Sequence, residues 1–89
     1  MHRRSNLKIE VLGSRCGKCQ KLLKNTKEAV ERIGIDAEVL KIEDVTEIIK
    51  HNVAFVPALV IDGEVVIFGS VPGVPEIIEF INSASENNT

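Results

Sequence analysis

The chain has 89 residues, of which 44% are apolar and only three, all Phe, are aromatic; its formal charge is −2. That length supports one domain with one modest core. The weak net charge and the lack of Trp and Tyr exclude a broad basic field for a phosphate backbone and an aromatic platform for stacked bases.

Arg3 and Arg4 precede no apolar run of the length a signal peptide or membrane span needs. The expectation is therefore a cytoplasmic protein with no nucleic-acid or membrane partner. Residues 1–6 and 83–89 read as polar tails around a single domain over residues 7–82.

Leu7 to Leu12 is a short apolar run closed by Gly13-Ser14, the pattern of a strand and turn. From Gly17 to Ile33 the apolar positions Leu22, Leu23, Ala29, Val30 and Ile33 recur at helical spacing, and Gly34 supplies the stop. Ala37 to Ile42 is β-branched enough for a second strand. Strand, helix and strand in so short a span make a βαβ unit with parallel strands.

Asp44 can cap a short helix with Val45, Ile48 and Ile49 on one side, ending near His51-Asn52. Ala58 to Ile61 and Glu64 to Phe68 flank Asp62-Gly63, a two-residue hairpin signature. Pro75 falls near the start of a last helix whose buried stripe is Ile77, Ile78, Phe80 and Ile81. The order is β-α-β-α-β-β-α, an α/β fold with a four-stranded mixed sheet and helices on both faces.

The only two cysteines, Cys16 and Cys19, stand three apart where the first strand gives way to the first helix. A helix start presents unpaired N–H groups and the positive end of the macrodipole, so a thiol there ionises more easily. Thiolates attack disulfides or bind soft metals, and two this close can close and reopen a small disulfide ring. In a reducing compartment such a pair is more often catalytic or metal-binding than a structural staple. Pro57 is the second signal. It cannot donate within a strand, so it belongs at the entry to the third.

Cys-x-x-Cys after the first strand, Val56-Pro57 before the third, the Asp62-Gly63 hairpin and Gly69 after the fourth resemble the thioredoxin/glutaredoxin superfamily. Nearest in pattern are its small redox-active disulfide proteins of archaea and bacteria. The resemblance implies a thioredoxin-like fold and a thiol–disulfide oxidoreductase in which Cys16 is the nucleophile and Cys19 the resolving thiol. It implies a cis Pro57 facing them, Val56 offering backbone hydrogen bonds to an extended substrate, and Gly69 where that substrate comes close.

The resemblance implies that the Cys16–Cys19 couple carries the electrons, with no bound cofactor and no metal expected. Expected partners are protein disulfides and a flavin or iron–sulfur thioredoxin-type reductase, and the chain is expected to be a monomer. Arg15 and Gly17-Lys18 stand where thioredoxins usually carry Trp and Gly-Pro.

Arg15 and Lys18 are candidates to tune the thiols or attract an acidic partner; the simpler reading is a solvated helix face. Glu10, six residues before Cys16, is a candidate to move the resolving thiol's proton; its simpler reading is a strand glutamate reaching solvent. His51 reads as a helix C-cap. The rival for the pair is delivery of Cu(I), as in heavy-metal-associated domains, which have βαββαβ order and usually a Met where Ser14 stands.

Overall fold

A computed structural model describes residues 7–13, 17–53 and 55–87, the last three by backbone alone. Seven elements follow one another: β1 (Leu7–Leu12), α1 (Gly17–Ile33), β2 (Ala37–Ile42), α2 (Val45–Lys50), β3 (Ala58–Ile61), β4 (Glu64–Phe68) and α3 (Val74–Asn87). They form one four-stranded sheet in the order β2-β1-β3-β4. β1 pairs parallel with β2 and antiparallel with β3, and β4 returns antiparallel to β3. The α/β architecture expected from the sequence is the one observed.

Alternation in β1 and β3 divides the core in two. Leu7, Ile9, Val11, Leu59 and Ile61 point to one face, where Leu22 and Ala29 of α1 and Ile77 and Ile81 of α3 cover them. Leu12, Ala58 and Val60 point to the other, against Ile48 of α2 and Val53. Every residue of β3 is buried, so its unbroken apolar run is the sequence signature of a strand covered on both faces. β4 carries one extra residue: Leu59 opposes Ile67 while Val60 opposes Val65. The bulge at Val66 lets Val66 and Ile67 both pack on the α1/α3 face.

The ends of the elements obey local chemistry. Gly34, at φ 66°, donates to the Val30 carbonyl at 3.0 Å and stops α1. Asp44 caps α2 by accepting from the Thr46 N–H at 2.9 Å, and Asn52 turns the chain out of that helix at φ 58°. Glu76 accepts from the Gly73 N–H at 3.1 Å, half of a capping box at the start of α3. The hairpin has positive φ at both Asp62 (51°) and Gly63 (86°). Lys8 and Asp62 also exchange hydrogen bonds, which pins that turn to the start of β1.

Two details depart from the sequence expectation. Of the apolar stripe assigned to α2, only Ile48 packs; Val45 and Ile49 are 66% and 65% exposed. A helix of six residues makes under two turns and has room for one inward row. α3 runs on to Asn87, through residues expected to form a tail, because Ser83 to Asn87 contains neither Gly nor Pro to break it.

Candidate functional site

Strand register builds the site. Leu12 of β1 opposes Ala58 of β3, and Ala58 opposes Phe68 of β4. The next residues outward at that end of the sheet are Gly13, Pro57 and Gly69, in a row across three strands. Gly13 extends the ladder by donating to the Ile42 carbonyl at 3.0 Å, and Gly69 donates to the Pro57 carbonyl at 2.8 Å. The Val56–Pro57 peptide bond is cis. Pro57 is buried, whereas Val56 is exposed.

Cys19 enters this row from the first turn of α1 and is 2% exposed. Its sulfur lies so close to Gly13 that a Cβ built there would collide with Sγ and stand 3.2 Å from the Cys19 Cβ. The same Cβ would be 3.7 Å from the Cα of Pro57. Gly13 also has φ 152°, which disfavours any side chain. Gly13 is a site residue that reading the sequence missed. It was legible there only as the turn after β1, because its constraint comes from α1 and the loop before β3 meeting over it.

Gly69, at φ 81°, packs beside Phe55, whose Cβ would lie 3.6 Å from a Cβ at that position. Phe55, Val56 and Phe68 are exposed at 65%, 41% and 48% and make an apolar rim next to the buried row. The structure thus brings Cys19, Pro57 and Gly69 together, with Val56 on the rim. Lys18 is exposed beside Cys19 in the first turn of α1. Glu10 is half-buried in mid-strand, between Leu40 of β2 and Val60 of β3, and alternates onto the face that holds Leu12. Cys16 and Arg15 lie outside the described residues.

His51 caps α2, its N–H donating to the Ile48 carbonyl at 3.1 Å. Among the described residues no three His, Cys, Asp or Glu side chains gather as metal ligands, and no helix is long and apolar enough to cross a membrane. The strand and helix order is not the βαββαβ of heavy-metal-associated domains.

Residues 7–82 match the model of a thioredoxin domain family. The thioredoxin of Methanothermobacter thermautotrophicus is 40% identical over 76 residues, covering 85% of this chain and 99% of that protein. The thioredoxin of Methanocaldococcus jannaschii is 41% identical over 78 residues, covering 88% and 90%. The fold, the surroundings of Cys19 and these similarities define a thiol–disulfide oxidoreductase of the thioredoxin class. The chain belongs to the thioredoxin domain family.

Proposed function

We propose that this chain reduces protein disulfides in the cytoplasm through a Cys16/Cys19 dithiol, and that a thioredoxin-type reductase of the flavin or iron–sulfur kind restores it. The observation that carries this reading is the buried Cys19 sulfur seated against Gly13 and beside Pro57, at the sheet end where Gly69 and the apolar rim also lie. A shielded thiol suits the resolving step: it is out of reach of bulky oxidants yet one helical turn from Cys16 in sequence.

In the first half-reaction the Cys16 thiolate attacks one sulfur of the substrate disulfide. The Cys16–substrate bond forms, the substrate S–S bond breaks, and the departing thiolate takes a proton. Cys19, having given up its proton, then attacks the Cys16 sulfur. The Cys16–Cys19 bond forms and the second substrate thiol leaves. Two electrons and two protons reach the substrate, and the reductase returns the same number to the protein. No bound cofactor is needed for either half, and one monomer suffices.

Val56 and Pro57 supply an edge along which an extended substrate segment can lie, with Gly69 leaving room for its backbone and Phe55 and Phe68 taking its apolar side chains. Arg15 and Lys18 favour the Cys16 thiolate. Glu10, on one of the two central strands, is the proposed acceptor of the Cys19 proton. Replacing Glu10 by Gln is expected to alter the pH profile of disulfide exchange while melting stays native; a superimposable profile removes Glu10 from the mechanism. Cys16→Ser is expected to abolish dithiol-dependent reduction of a protein disulfide. Undiminished reduction by that variant would contradict the proposed chemistry.

A further inference from the structure

We propose that the solvent face of α1 is a docking surface for an acidic polypeptide, so that the protein selects disulfides flanked by carboxylates. The proposal rests on the thiol–disulfide reading above and names the class of partner that reading leaves open.

Charge is divided sharply along this chain. Residues 1–27 hold eight Lys or Arg against one acid, a net of +7, while residues 28–89 hold three against twelve, a net of −9. The small overall charge of −2 hides this uneven division along the sequence. On α1 the positive part becomes an oblique row that winds about halfway round the helix: Lys18, Lys21, Lys24 and Lys27 are all exposed, and no acid stands in the helix before Glu28. At 1.5 Å per residue the row is about 14 Å long.

None of these four lysines forms an ion pair with another described residue; the one described pair on α1 joins Arg32 to Glu28 at 2.9 Å, beyond the end of the row. Like charges three residues apart repel, and cations in the first turns oppose the helix dipole. The fold therefore bears a cost here that neutral side chains would remove, as expected of a surface shaped for recognition.

Position ties the row to the chemistry. It starts at Lys18, next to Cys19, whose sulfur meets Gly13 beside Pro57. Lys21 and Lys24 of the row share an open surface depression with Gly17, Gln20, Asn25 and Glu28. A substrate segment lying on Val56-Pro57 has apolar Phe55 and Phe68 on the rim, while the lysines of α1 begin one residue from Cys19. The matching ligand is a protein segment with several carboxylates on one side of its disulfide. Nucleic acid matches less well: the row is short, α1 carries no aromatic side chain, and the remainder of the molecule repels a long polyanion.

The test uses the reduced full chain and three synthetic disulfide peptides alike except for Asp/Glu, Ser or Lys flanks. Reduction rates are compared for the parent and for a Lys21→Gln/Lys24→Gln/Lys27→Gln variant, which leaves the dithiol and Lys18 untouched. At about 0.01 M salt the acidic peptide is expected to react about 10-fold faster than the neutral one, the low end of electrostatic enrichment. That preference should collapse at about 0.5 M salt, where the screening length is only a few ångströms. In the triple variant the preference should vanish while the neutral peptide keeps its parent rate.

Equal rates for the three peptides with the parent protein, or a preference that survives in the variant, would overturn the docking surface and leave the dithiol chemistry standing. Failure to reduce any peptide would overturn both. Salt-sensitive binding of a short oligothymidylate that abolishes the peptide preference would reassign the row to nucleic acid.

Discussion

Gly13 shows at residue scale what the site demands of the chain. Any side chain there meets the Cys19 sulfur, and the φ of 152° adds backbone strain. Gly13→Ala is expected to cost about 1–3 kcal/mol of stability, the range for a small-to-large insertion or a residue held in glycine-only backbone. Part of that cost belongs to one atom. In a Cys19→Ala background, which lacks the sulfur, the Gly13 penalty should fall by about 1 kcal/mol, the coupling typical of residues in contact. Denaturant melts of both single variants and the double variant measure it, and additive penalties would contradict the packing described. The sequence advertised Cys19 and Pro57 through residue type and spacing. Gly13 carried no such mark, since a turn glycine and a glycine crushed beneath a thiol are spelled alike.

Elements were far more legible than their packing. Periodicity, Gly34, Asp44, Asp62-Gly63 and Pro75 mark the starts and stops of helices and hairpin by local chemistry, which acts within a few residues and so is written in the sequence. Which side of α2 meets the sheet depends on distant residues, and there the apolar stripe misled: Ile48 packs while Val45 and Ile49 face outward. Two substitutions separate the cap from the stripe. Asp44→Ala removes the bond to the Thr46 N–H and should cost about 1 kcal/mol. Ile49→Ser, at an exposed position, should stay within about 0.5 kcal/mol of the parent. Urea midpoints decide both, and a larger loss for Ile49→Ser would mean that this residue is covered in solution.

At the scale of the whole molecule, β1 and β3 in the middle of the sheet hold the row of Gly13, Pro57 and Gly69, while α1 brings Cys19 into it from one side. Burial of the Cys19 thiol is what would make the two cysteines unequal in the proposed reaction. The direct measurement is the pH dependence of alkylation at Cys16 and Cys19, each followed separately on the reduced, metal-free protein. The account predicts a fast thiol at Cys16 that ionises below the ordinary thiol range, beside a slow Cys19 protected by burial. Two thiols of equal, ordinary reactivity would contradict it and leave the pair without a nucleophile.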